Sequence, residues 1–135
     1  MKLFTREVLA HLAANGKATR LAQQAGQAEP DHKPVVKIFD PCGAGTWLIT
    51  ESNPDEPDLL FGLADLGMQC PELGYISKSE LEMIKGRFGI GLVRDRWFST
   101  DKPLSAFVDE ALNEGRIEAL NRGGWSASNP REDLE

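Results

Sequence analysis

The stretch that decides the fold is KIFDPCGAGTWLITE, residues 37–51. Two runs of apolar and β-branched residues flank a proline- and glycine-rich segment, residues 40–45, which is typical of a tight turn. The stretch therefore predicts a β-hairpin. Because side chains alternate between the two faces of a strand, Trp47 and Leu48 are predicted on opposite faces, with Trp47 on the core side of the sheet.

Further apolar runs extend the hairpin into a small sheet. A third strand is predicted over residues 59–65, where apolar residues alternate, and a fourth, short strand over residues 73–76. The strands lie in the middle of the chain and helical patterns lie at both ends. The sequence therefore predicts an α+β fold: a small, mainly antiparallel sheet with flanking helices that cover one side, in a single domain.

Helix boundaries are marked by capping residues. Thr5 is a predicted N-cap for a first helix that ends at Asn15-Gly16, and residues 17–33 are a second, weak helix or a linker. Residues 77–80, Ser-Lys-Ser-Glu, fit a capping box. A further helix begins near Pro103 and carries an apolar stripe at helical spacing.

The domain organisation follows from these patterns. The chain has 135 residues, which is enough for one core without disulfide bridges. We predict a helical lead-in over residues 1–34, an α+β core domain over residues 35–122 and a mobile polar tail over residues 123–135, where no hydrophobic period is found.

Charge and hydropathy exclude several classes of partner. The formal net charge is −6, and no clustered basic run is present, so the sequence argues against binding of duplex DNA. No apolar run is long enough to span a membrane, and the N-terminus lacks a secretory apolar region. A cytoplasmic protein with no membrane partner is the expectation, with Cys42 and Cys70 as reduced thiols.

No motif predicts a metal or a cofactor. The Gly43–Thr46 turn lacks the lysine and the following helix of a nucleotide-binding loop, and no zinc, metalloprotease or serine hydrolase motif is found. His32 lies between charged residues and is predicted to be a solvated surface side chain. We therefore expect no cofactor and no metal site of these types.

Polar residues within the apolar strands are the remaining candidates for chemistry. Lys37 and Glu51 are predicted to form a cross-strand ion pair, and carboxylates at strand ends are expected to gather at one rim of the sheet. The rim is either a set of ion pairs that close the strands or a catalytic cluster able to hold a divalent metal. The ion-pair interpretation is favoured, and the catalytic candidates are Glu51, Asp65, Glu72, Tyr75 and Arg94.

A second set of residues is a candidate binding surface. Residues 87–88 and 94–98 mix arginine with aromatic residues, a pairing used for stacking on unpaired bases. The favoured alternative is that Trp97 and Phe98 form the edge of the core, so single-stranded nucleic acid is the weaker partner hypothesis. The candidate binding residues are Lys37, Trp47, Arg94 and Trp97.

Several of these segments together resemble a known family. The hairpin is accompanied by FGLADLG, PELGY, SELE, VRD and KPLS, at residues 61–67, 71–75, 79–82, 93–95 and 102–105. In this combination the sequence resembles domain-of-unknown-function family 2958. The resemblance implies a small bacterial domain, often encoded on plasmids and other mobile elements, sometimes beside antirestriction or DNA-processing proteins, with no established activity.

Two functional hypotheses remain. The first is a non-enzymatic module that binds another protein, used in mobile-element or antirestriction biology; an exposed aromatic such as Trp47 or Trp97 beside the acidic loop of residues 55–58 would support it. The second is a small hydrolase-like enzyme built on the rim cluster; a concave pocket with those side chains converging would support it. The interaction module is favoured.

Overall fold

The computed structural model describes residues 2–67 and 70–114. Within that part of the chain, three helices, one short 3₁₀ turn and five strands follow one another. They are α1 (Arg6–Gln24), β1 (Val36–Phe39), β2 (Thr46–Ser52), β3 (Leu59–Asp65), β4 (Glu72–Ser77), α2 (Lys78–Met83), the 3₁₀ turn (Arg87–Gly89), β5 (Val93–Arg94) and α3 (Leu104–Glu114).

The described strands form one antiparallel sheet in the order β4-β3-β2-β1-β5. The first four strands form three consecutive hairpins, and β5 returns to pair with β1. The predicted hairpin, the two further strands and the α+β class are therefore confirmed. A hydrogen bond from the amide of Asp40 to the carbonyl of Gly45 closes the turn at residues 40–45. The glycines of this turn therefore belong to a hairpin.

Helices cover both faces of the sheet, whereas the sequence predicted cover on one side. On the first face, Trp47 and Ile49 pack with Leu12 of α1 and Leu81 of α2. On the second face, Leu48 packs with residues of α3. Successive side chains of β2 therefore belong to two different apolar clusters, one on each face of the sheet. Each cluster buries the apolar face of a helix.

Helix α1 begins where the sequence predicted but continues past its predicted end. The hydroxyl of Thr5 accepts a hydrogen bond from the amide of Val8, as expected of an N-cap. The predicted end at Asn15-Gly16 is wrong, because both residues contact β2 from within the helix. The side-chain amide of Asn15 donates through Nδ2 to the carbonyl of Thr50, and a Cβ at Gly16 would lie 1.8 Å from the Ser52 carbonyl oxygen.

The starts of the other two helices each bind a carboxylate from a distant part of the chain. Ser77 caps α2 by accepting from the amide of Glu80, as predicted, and the Asp58 carboxylate also binds the Ser77 hydroxyl. The amide and hydroxyl of Ser105, near the start of α3, donate to Asp31. The predicted continuation of this helix beyond residue 114 and the predicted tail of residues 123–135 lie outside the described residues.

Candidate functional site

The five catalytic candidates do not converge. Register places Glu72, Ala64, Trp47, Ile38 and Arg94 in one row across the sheet, with Glu72 on one edge strand and Arg94 on the other. Four inter-strand steps of ~4.8 Å separate their backbones by about 19 Å.

The other candidates are also divided between the ends of the sheet. Tyr75 and Glu51 lie opposite Phe61, at the end of the sheet away from Asp65. Asp65 is buried at the end of β3 and accepts a hydrogen bond from the amide of Gly67. The prediction of one rim cluster is therefore wrong, because register and strand order distribute the five side chains over both edges and both ends.

Arg94 binds the N-terminal segment instead of a carboxylate. Its guanidinium donates to the carbonyl oxygens of Lys2 and Leu3. Leu3 and Phe4 are buried in the first apolar cluster. Arg94 therefore holds the start of the chain against β5.

Lys37 does not pair with Glu51. It lies opposite Leu48, and its ammonium nitrogen is 3.8 Å from Asp95 and 5.6 Å from the centre of the Phe39 ring. Burial lowers the pKa of Lys37, and the charge of Asp95 opposes this shift. The predicted cross-strand ion pair is therefore replaced by one between β1 and the residue that follows β5.

Glu51 belongs to a polar cluster that the sequence did not reveal. Its carboxylate accepts a hydrogen bond of 3.0 Å from the hydroxyl of Thr19 on α1, and the same hydroxyl oxygen lies 3.0 Å from Nε2 of His32. When the single hydroxyl proton of Thr19 goes to Glu51, Nε2 of His32 must carry a proton to donate to the Thr19 oxygen. Burial raises the pKa of Glu51, against the effects of the Thr19 hydrogen bond and of His32.

The prediction of a solvated His32 is wrong. Its side chain is only 12% exposed, because the linker after α1 returns along that helix and the His32 carbonyl accepts from the amide of Leu104. A groove of about 510 Å³ lies beside it, lined by side chains that include His11, Asn15, Asp31, Phe98 and Thr100. The cluster of Thr19, His32 and Glu51 thus joins α1, the linker and β2. A functional role for it would require a ligand that contacts His32 from this groove.

Glu51 is expected to make stability depend on pH. At low pH the carboxyl is protonated in both the folded and the unfolded chain; as pH rises above 4.5, the usual pKa of a glutamate, the unfolded chain ionises first. Stability contributed by Glu51 is thus lost as pH rises through its raised folded pKa. Denaturation of the wild type and Glu51→Gln across this range should show the variant gaining relative stability as pH rises. A constant difference would contradict the assignment.

Two surfaces expose large apolar or aromatic side chains. The first is β4, whose outer side pairs with no strand in the described part of the chain; Leu73 and Tyr75 point to one face and are 48% and 69% exposed. The second is at the opposite edge of the sheet, where Phe88 and Trp97 are 83% and 85% exposed. Trp47, a candidate binding residue, is 8% exposed and lies in the core as the alternation predicted.

Trp97 corrects the favoured sequence interpretation in part. Phe98 packs against the second apolar cluster and is the core-edge residue that the sequence predicted. Trp97 is 85% exposed, in a turn closed by a hydrogen bond from the amide of Phe98 to the Asp95 carbonyl. It therefore remains available as a binding residue.

Two features are absent from the described residues, a metal-binding cluster and a helix that could span a membrane. In residues 2–67 and 70–114, no three His, Cys, Asp or Glu side chains are arranged to hold a metal ion. Of the described helices, none combines the length and the hydropathy that crossing a membrane requires.

The fold defines a small α+β domain whose antiparallel sheet is covered by helices on both faces. The model of the family "Protein of unknown function (DUF2958)" matches residues 3–118. The chain belongs to this family, and the match includes α1 as well as the sheet. Comparison with curated proteins and with solved structures gave no match.

Proposed function

We propose that this chain is a cytoplasmic, non-enzymatic protein-interaction module of mobile-element or defence biology, and that it binds an extended segment of a partner protein along β4. The observation that carries the proposal is the exposed edge strand with Leu73 and Tyr75 on one face. The biological setting rests on the family resemblance alone.

The backbone of β4 suits a partner strand. An edge strand presents backbone N–H and C=O groups that another extended chain can pair with, and proteins usually protect such edges with charges, prolines or bulges. Within Glu72–Ser77 only the first residue is charged, and β4 pairs with β3 without a register shift. The strand therefore lacks the usual protection along its length.

The side chains specify the chemistry of the partner. Tyr75 packs edge-to-face on Phe61 with ring centres 5.5 Å apart, which fixes the ring as part of a rigid platform. Glu72, the first residue of β4, and Glu80, in the first turn of α2 directly after β4, are exposed, while Lys78 is engaged by Glu82 at 3.6 Å. The proposed partner segment thus has alternating apolar residues and carries Lys or Arg at its ends.

The enzyme alternative has less support. It required Glu51, Asp65, Glu72, Tyr75 and Arg94 to converge, with or without a divalent metal, and their positions in the register keep them apart. No second arrangement of those residues favours hydrolysis.

The test is selection of binding peptides with a defined counter-selection. Random peptides displayed on phage are selected on the immobilised wild type and counter-selected on the double variant Leu73→Lys/Tyr75→Lys. We expect selected peptides to be apolar–basic and to bind the double variant about tenfold more weakly or worse, since two apolar contacts are replaced by like charges. The exposed positions leave folding intact.

Hydrogen exchange and a control variant complete the test. Bound peptide should slow amide exchange in β4 and leave β5 unchanged, and Leu21→Ala, an exposed apolar residue on α1, should bind as the wild type does. Peptides that bind the double variant equally well, or that protect amides elsewhere, would overturn the proposal.

A further inference from the structure

The edge of the sheet opposite β4 carries a basic segment in an acidic protein. Residues 85–97, here named the arginine–aromatic segment, contain four Lys or Arg residues and one Asp, while the whole chain has a net charge of −6. The one acid, Asp95, lies 3.8 Å from the ammonium of Lys37, which offsets its charge. The segment therefore presents positive charge that the overall composition conceals.

Phe88 is presented at the tip of a strained turn. Its ring is 83% exposed and its φ is 65°, a left-handed conformation that is unfavourable for a bulky side chain. Hydrogen bonds from the amide of Gly86 to the Ile90 carbonyl and from the amide of Gly89 to the Gly86 carbonyl hold this turn. Strain of this kind is characteristic of functional sites.

Trp97 is presented by a second turn of the same segment. Its amide donates to the Asp95 carboxylate at 3.0 Å, and the amide of Phe98 donates to the Asp95 carbonyl. Because Phe98 packs into the core, the turn is anchored while the indole ring is 85% exposed.

The two turns repeat one local pattern. Each exposed ring directly follows an exposed arginine, Arg87 before Phe88 and Arg96 before Trp97. A flat ring beside a guanidinium can stack on a base while the cation binds the neighbouring phosphate. The N-terminal Lys2, which is exposed, is held nearby through the contact of its carbonyl with Arg94.

We infer that the arginine–aromatic segment binds unpaired nucleic acid, with bases stacked on Phe88 and Trp97 and phosphates held by Arg87 and Arg96. Unpaired bases can stack on the exposed rings while the arginines bind the phosphates. Bases in a duplex stack on one another and offer no free face to a ring. The surface is separate from β4, so this inference does not depend on the proposed partner strand.

The size of the ligand follows from the chain. Phe88 and Trp97 are nine positions apart, and even a fully extended chain would hold their Cα atoms at most about 30 Å apart. A single strand of about 16 nucleotides is long enough for both rings to be engaged, within the site sizes found for single-strand binders.

The experiment measures anisotropy of a fluorescein-labelled oligothymidylate of about 16 nucleotides at low salt. Phe88→Ala and Trp97→Ala should each weaken binding about 5- to 100-fold, as loss of one stacked base does. Leu112→Ala, an exposed apolar residue on α3, should bind as the wild type does. Arg87→Gln and Arg96→Gln should each reduce the slope of log K against log salt by about 0.7.

Trp97→Phe separates ring contact from an indirect effect. This variant keeps an aromatic face, so it should bind nearly as tightly as the wild type, whereas the fluorescence quenching on binding that comes from the indole should disappear. Since the chain has two other tryptophans, the comparison is with the wild type: quenching as strong in Trp97→Phe as in the wild type would show that Trp97 does not touch the ligand and would overturn its role.

Three further results would overturn the inference. They are absence of oligothymidylate binding at low salt, binding that both alanine variants leave unchanged, and equal or tighter binding of a duplex of the same length. Phosphatidylserine vesicles provide the remaining comparison: if they bind the segment and oligothymidylate does not compete, the ligand is a membrane surface and the inference fails.

Discussion

Trp47→Ala is expected to cost about 3–5 kcal/mol of folding free energy, as aromatic truncations in well-packed cores do. The indole is 8% exposed and packs with Ile38 and other apolar residues of the first cluster. A Cβ at Gly45 would lie 2.9 Å from the indole ring, so the ring also covers the end of the hairpin turn. Truncation removes packing from both the core and the turn.

The chain provides a matched control for this substitution. Trp97→Ala removes the same side chain from a position that is 85% exposed and should change stability by less than about 0.5 kcal/mol. Urea denaturation of both variants measures the difference. Equal losses from the two substitutions would show that Trp47 contributes no more to the core than a surface residue.

Gly16→Ala is expected to destabilise the protein by about 2–3 kcal/mol, although alanine favours helix by about 1 kcal/mol over glycine in an exposed helix. The added methyl would lie 1.8 Å from the Ser52 carbonyl oxygen and 3.0 Å from its carbon. These are backbone atoms of β2, so they cannot move without shifting a central strand. Steric repulsion therefore exceeds the gain in helix propensity.

A neighbouring residue on the exposed face of the same helix provides the comparison. Lys17→Ala is a substitution at an exposed position and should change stability by less than about 0.5 kcal/mol. Thermal and urea denaturation measure both variants. A Gly16→Ala protein as stable as the wild type would mean that α1 does not approach β2 as closely as the geometry requires.

The parts of the fold that depend on local patterns could be predicted from the sequence. Alternation in residues 46–51 identified β2 and its two faces, and the turn residues before it identified the hairpin. Thr5 and Ser77 marked two helix starts because capping uses a side chain and an amide a few residues apart. In each case the residues that interact are close in sequence.

The candidate site depended on information that is not local. The expected rim required a strand order, and the sequence does not show that β4 and β5 occupy opposite edges. The sequence therefore predicted one rim cluster of residues at strand ends, although the strand order and register separate these residues.

Tertiary contacts also overrode two local signals. Gly16 read as a helix end because glycine commonly ends helices, and only the approach to Ser52 explains its place inside α1. His32 read as solvated because its neighbours are charged, and only the contact with Thr19 shows that it is held.

The contact of Arg94 with the start of the chain has a consequence for synthesis on the ribosome. Lys2 and Arg94 are 92 positions apart, so Lys2 leaves the ribosome well before Arg94 has been synthesised and can bind it. At usual rates of translation the wait is roughly 5–20 s. Leu3 and Phe4, which are buried in the finished protein, lack the contact between their segment and Arg94 during that interval, while the hairpins between them and Arg94 are already able to form.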